Sequence, residues 1–183
     1  MSDLILFALK DEAPDIFQEY NNVFEIGVGK VNAALNTVRL ILEHKPKRII
    51  NLGTAGGIRA SSGIHKIKKV IQHDVNLIPL GLKPGFHLRD NDSEITLAET
   101  GMICASGDLF VTEPNKLRID CDIVEMEAYS VARAGLMTGI EVEIWKYISD
   151  KADDEAPDAW KQKVNHGEKL YRDVLSSLGV NPK

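Results

Sequence analysis

The chain alternates short apolar runs with stripes spaced for helices. Residues 4–9 are continuously apolar, which predicts a strand buried on both faces. Residues 23–26 predict a second strand, ending at Gly27-Val28-Gly29. A helix should follow, burying one stripe made of Val31, Ala34, Leu35, Val38, Ile41 and Leu42. Pro46 breaks that helix. Residues 48–52 then predict a core strand, closed by a permissive turn over Gly53-Thr54-Ala55-Gly56-Gly57. Further strands are predicted at residues 67–71, 102–105, 119–126 and 142–148, with a loop rich in glycine, proline and charge from 79 to 94. One helix is expected from Glu127. A single C-terminal amphipathic helix is expected along Trp160, Val164, Gly167, Tyr171, Val174 and Leu178. This alternation predicts an α/β fold: one domain over residues 1–183, with a mixed, mostly parallel central sheet flanked by helices.

Composition narrows the class. The 183 residues suffice for one substantial core, and 44% hydrophobic with 27% charged residues is an ordinary globular balance. A formal net charge of -5 argues against a nucleic-acid groove, which needs a basic footprint. Lys66, Lys68 and Lys69 read as a solvated strand face. Cys104 and Cys121 show no metal-ligand spacing and lie among apolar residues, as reduced core thiols of a cytoplasmic protein would. Met1-Ser2-Asp3 lacks the charged start of a secretory leader, and no apolar run approaches membrane-spanning length. Neither a membrane nor a nucleic acid is expected as partner.

The densest chemistry sits at Val124-Glu125-Met126-Glu127-Ala128, where a predicted strand meets a predicted helix. A carboxylate there lies at the mouth of an α/β sheet, where ligands bind, and Glu127 has two oxygens with which to accept vicinal hydroxyls such as those of a ribose. The competing reading is that Glu125 and Glu127 serve the helix N-terminus electrostatically. Gly27-Val28-Gly29-Lys30 is no P-loop: the four residues required before a Gly-Lys pair are missing, and Val31 stands where Ser or Thr is needed. It is no dinucleotide fingerprint either, because Asn32 replaces the third glycine. Around Gly53, successive backbone N–H groups and the Thr54 hydroxyl suit a polarised oxygen; packing of small residues is the alternative.

Five segments in order carry a resemblance: Gly27-Val28-Gly29-Lys30-Val31-Asn32-Ala33-Ala34, Asn51-Leu52-Gly53-Thr54-Ala55-Gly56-Gly57, Ser106-Gly107-Asp108-Leu109-Phe110-Val111, Val124 to Ala128, and Ile148-Ser149-Asp150 with Ala152-Asp153. Together they resemble the nucleoside phosphorylase superfamily, most nearly its 5′-methylthioadenosine/S-adenosylhomocysteine nucleosidase branch. The resemblance implies a purine nucleosidase that hydrolyses the N-ribosidic bond of an adenine nucleoside. Glu12 falls where that branch activates water, and Asp150 where it protonates the purine at N7. Met126 and Glu127 fall at the ribose site, Phe110 and Val111 at the base, and Trp160 where an aromatic ring closes over it. Thr54, Ala55 and Gly56, with Ser149 beside Asp150, complete the implied substrate-binding set. The resemblance implies no cofactor, and His73-Asp74 is too sparse for a metal. It also implies a homodimer whose neighbouring subunit contributes near the 5′ pocket.

The implied chemistry is coherent by itself. Cleaving a ribosyl C–N bond places positive charge on the sugar and negative charge on the departing base, so one group acts as acid while another readies water. Donation at neutral pH requires Asp150 to hold a proton, through burial or a partner such as Ser149. Asp150 can also accept from an exocyclic amine, which favours adenine over hypoxanthine. Each residue has a plainer role: Glu12 in a helix first turn, Asp150 as a helix cap, Phe110 and Trp160 as core.

Two other functions compete. A phosphorylase needs a cationic clamp for phosphate; relatives carry arginine where this chain has Asn51, and Glu12 would repel the anion, leaving Arg59 as a substitute. A catalytically silent nucleoside-binding protein is the other. The family pattern is shortened between Asp74 and Thr100, the region that builds the 5′ pocket. There Leu77, Ile78 and Leu80 would suit an alkylthio group, or Lys83, His87 and Arg89 a charged one. Lys146 replaces the branch's arginine beside the ribose.

Overall fold

A computed structural model describes residues 3–183; Met1 and Ser2, which begin the segment read as lacking a leader, lie outside the described residues. The first strand, β1 (Leu4–Phe7), is buried throughout. Leu4 and Leu6 enter one core, and Ile5 and Phe7 another, as a strand covered on both faces requires. β2 (Val23–Glu25) pairs parallel with it.

α2 (Lys30–His44) follows the short helix α1 (Ile16–Glu19) and corrects the expected stripe. Its buried residues are Ala33, Thr37, Leu40 and Ile41, whereas Val31, Leu35 and Leu42 are about two-thirds exposed and Val38 is also exposed. The helix carries two apolar faces, and periodicity alone picked the longer one. The smaller Ala33 and Thr37 are buried on the face that α2 turns inward, beside the later helix Ala128–Thr138.

β3 (Arg48–Gly57) is the longest departure from expectation, because the glycine run is not a turn. The strand continues through it, pairing parallel with β8 (Glu141–Asp150) and shifting register between Ala55 and Gly56. Its last residues, Gly56 and Gly57, pair antiparallel with β7 (Ile123–Glu125). Glycine here serves a bend and a close approach of strands. β7 is shorter than residues 119–126; just before it, Asp122 takes the Ile103 amide and the Arg59 guanidinium on its carboxylate while its own amide donates to the Ile103 carbonyl.

β4 (Ile64–Gln72) pairs with β8 and with β5 (Glu94–Thr96), both antiparallel, and with β6 (Met102–Ser106) in parallel. β6 in turn pairs parallel with β7. β3, β8, β4, β6 and β7 therefore close a ring, with β1 and β2 extending it beyond β3. β5 ends the loop excursion and is too short to stand out in sequence. Lys66 and Lys69 lie on partly exposed β4 faces, paired with Glu143 and Glu94.

α3 (Ala128–Thr138) packs with α2 over one face of the sheet. The expected single C-terminal helix is two: α4 (Ala156–Lys163) and α5 (Glu168–Ser177). The break falls at Gly167, where a Cβ would come within 2.7 Å of the Tyr171 ring. Trp160 thereby turns to a cavity while Tyr171, Val174 and Leu175 fill the second core. Cys104 and Cys121 are buried free thiols. No helix among the described residues is long and apolar enough to cross a membrane.

Candidate functional site

An open cavity lies where the strands end, the position at which α/β sheets commonly bind small molecules. Glu12 reaches it from the segment after β1, Thr54, Ala55 and Gly56 from β3, and Phe110 and Val111 from the loop after β6. Met126 and Glu127 come from the β7–α3 junction, Ser149 and Asp150 from the end of β8, and Trp160 from α4. All these sequence-predicted residues line one cavity, although they are scattered along the whole chain.

Asp150 is held by its own neighbourhood. The Ser149 hydroxyl donates to Oδ2 at 2.8 Å and the Ala152 amide to Oδ1 at 2.9 Å, so it closes a local turn and caps no helix. Gly56 is part of its setting: a Cβ there would lie 2.8 Å from Asp150 Oδ1.

Glu12 ends a 3₁₀ turn and folds back on it. Oε2 accepts the Ala8 and Leu9 amides at 3.1 and 3.2 Å, while Oε1 accepts the Thr54 amide and hydroxyl at 2.7 and 2.8 Å. Gly53, with φ of +156°, admits this carboxylate, because a Cβ would sit 3.0 Å from Oε1. Burial raises the Glu12 pKa, and the opposing pull of Lys146 and the Thr54 donors does not reverse it. The Trp160 indole N–H donates to the Thr54 hydroxyl at 3.0 Å, which fixes the ring against the β3 wall.

The two acids at the β7–α3 junction divide the competing readings between them. Glu125 serves the helix: Oε2 accepts the Glu127 and Ala128 amides at 3.0 and 2.8 Å, and Oε1 accepts the Ser106 hydroxyl. Glu127 faces the cavity and accepts the Gly29 amide at 2.8 Å. Behind both lies Lys146, 1% exposed, with its ammonium 3.0 Å from Glu125. Burial disfavours charge on Glu125, but Lys146, Ser106 and the helix amides outweigh it and depress its pKa. Glu127 has no such ion pair; burial and the neighbouring Glu125 charge push its pKa up to about 8. Lys146 is driven further toward its charged form, since the surrounding carboxylates outweigh its own burial. The resemblance placed Lys146 beside the ribose, in place of an arginine; its pairing with Glu125 was not visible in sequence.

The mouth is apolar. Val28, Leu109 and Phe110 are exposed there, with Leu109 at 66%. Neither Leu77, Ile78 and Leu80 nor Lys83, His87 and Arg89 line the cavity; Leu9, Val28 and Leu109 do so instead. Arg59 is committed to Asp120 and Asp122 on the surface, and Asn51 is buried with its amide on the Leu6 carbonyl. No group of acids, histidines and cysteines arranged for a metal ion occurs among the described residues.

Comparison with known proteins finds relatives both in sequence and in fold. A family model described as the phosphorylase superfamily matches residues 21–76. A 5′-methylthioadenosine/S-adenosylhomocysteine nucleosidase of Bacillus cereus is 33% identical over 159 residues, covering 71% of this chain and 68% of the relative. A Helicobacter pylori futalosine hydrolase mutant superposes with a TM-score of 0.86 at 22% identity, over 97% of this chain and 98% of that one. A Helicobacter pylori 5′-methylthioadenosine-bound nucleosidase mutant gives the same TM-score and identity over 96% of both chains. At that identity the two structures establish a shared fold.

Proposed function

This chain belongs to the phosphorylase superfamily, in its 5′-methylthioadenosine/S-adenosylhomocysteine nucleosidase family of N-glycosyl hydrolases, and we propose that its cavity hydrolyses the N-ribosidic bond of an adenine nucleoside of that type. The observation that carries this reading is the convergence of Glu12, Glu127 and Asp150 on one cavity with no arginine, lysine or histidine among its lining residues. A cavity lined by carboxyl groups accommodates the positive charge that develops on the sugar, and without a cationic side chain among its lining residues it offers no clamp for a phosphate nucleophile. Asp150, steadied by Ser149, is the acid toward the base. Glu12 readies water: burial makes it a stronger proton acceptor than a free carboxylate, and four donors fix its orientation. Glu127 takes the ribose hydroxyls beside Met126, and the base lies against Phe110 and Val111 with Trp160 across from them.

The same reading takes the chain as one domain over residues 1–183, working in the cytoplasm without nucleic acid or membrane. It also takes it as a homodimer, which the outward apolar face of α2 supports.

The test is release of adenine from 5′-methylthioadenosine, followed by chromatography with and without phosphate. We expect equal rates in both, and kcat lowered about 10²–10⁴-fold in Asp150→Asn. Strict phosphate dependence, or tight binding without release, would overturn the reading.

A further inference from the structure

The ribose and base subsites stand on different segments. Glu127 is anchored by the amide of Gly29 just before α2, and Phe110 and Val111 ride on the loop that follows β6 and includes Asp108. The Gly107 amide on the Glu125 carbonyl, and the Ser106 hydroxyl on the Glu125 carboxylate, join the root of that loop to the ribose segment. A second tie lies just outside the cavity. The Lys30 amide donates to Asp108 Oδ1 at 2.7 Å, and the Asp108 amide donates to Asp74 Oδ2 at 2.9 Å. The Lys30 ammonium closes the cycle on Asp74 Oδ1 at 2.6 Å, with a second bond to Gln72 Oε1 at 2.9 Å.

We propose that Asp74 is a positioning residue for the reaction, clasping the Gly29–Lys30 and Asp108 segments so that the ribose carboxylate and the base wall keep one spacing. This rests on the hydrolase reading for which subsites are being spaced, not for the clasp itself. Asp74 gives one oxygen to each segment, so neither half survives its loss unchanged. The Lys30 and Asp74 side chains are only 18% and 15% exposed, so solvent screens their attraction less than on an open surface. Gly29 makes the approach sterically possible: a Cβ there would sit 2.9 Å from Asp108 Oδ1, and its φ of +89° favours glycine independently. Spacing matters because ribose and base are gripped at once, so subsites free to drift must be reordered at each binding event, at a cost in affinity.

Asp74→Asn keeps the shape but removes the charge and one acceptor oxygen. It should raise KM for 5′-methylthioadenosine about tenfold, and weaken calorimetric binding of free adenine by a like factor, with kcat within about threefold of wild type. Amide hydrogen exchange at Gly29, Lys30 and residues 107–111 should quicken without any ligand. Lys30→Met should reproduce these changes, and combining the two substitutions should add little to either alone. Unchanged KM and unchanged exchange in a folded Asp74→Asn or Lys30→Met protein would overturn the clasp. So would a uniform rise in exchange throughout the chain, which marks plain loss of stability. A wild-type protein that releases no adenine would defeat only the hydrolase reading, because the exchange measurement reads the clasp without substrate.

Discussion

Glu127 meets opposing demands from its surroundings. Burial and the Glu125 charge hold its pKa near 8, so at neutral pH the empty site keeps a proton on it. Ribose hydroxyls donating to the carboxylate favour the ionised form instead, so nucleoside binding should expel that proton. Calorimetry at pH 7 in buffers of different ionisation enthalpy should find about one proton released, and Glu127→Gln should abolish the release. The linked effect on stability has a definite sign. Below pH 4.5 the group is protonated in both folded and unfolded chains. Between pH 4.5 and 8 only the folded chain retains the proton, so this group's contribution falls as pH rises, by on the order of a few kcal/mol over the window. Glu12, also raised, acts in the same direction, and Glu125, depressed, opposes it. The difference between wild type and Glu127→Gln isolates the effect: the melting temperature of the ligand-free variant should decline less from pH 5 to pH 8.

β3 shows how an element can be legible in type and misread in detail. The sequence marked Gly53 to Gly57 correctly as a special backbone, yet a turn and a bent strand demand the same residues. What distinguishes them is a partner strand far away, at β7, and a carboxylate from β8 lying where a side chain would project. Neither can be read locally. The C-terminal helix failed for a similar reason, since Gly167 fits a helical stripe equally well until the Tyr171 ring packs on it. The candidate site residues could be picked out because their motifs are ordered and chemically distinctive. The pairing of Lys146 with Glu125, and the bonds of Asp74 to Lys30 and Asp108, could not, because the partners lie on other elements. The β3 backbone carries its own prediction. Gly56→Ala should leave the strand paired while forcing Asp150 off its position, as the new methyl would lie 2.8 Å from Oδ1. Turnover should fall at least about tenfold with ribose binding nearly intact. Equal kcat in the variant would mean that Asp150 does not act from its observed place.

At the scale of the molecule, the ring of strands leaves its functional end open on the side where α2 begins. Val28 and Leu109 line that mouth, and Val31, Leu35, Val38 and Leu42 continue outward along the helix at spacings of three and four residues. These side chains form one exposed face, whereas Ala33, Leu40 and Ile41 on the opposite face are buried in the core that α2 shares with α3. A helix with two apolar faces needs two partners, and the fold supplies one. The homodimer proposed above would supply the second, a two-fold contact bringing the same face from each copy together. The wild-type protein should therefore sediment at twice the mass of the chain at micromolar concentration. Leu35→Glu combined with Leu42→Lys places unlike charges on one stripe, so each copy stays soluble while the apolar contact is lost. That variant should sediment as a folded monomer and bind nucleoside more weakly, since the mouth would lose its neighbouring wall. A monomeric wild type with full activity would instead leave the stripe without a role in catalysis.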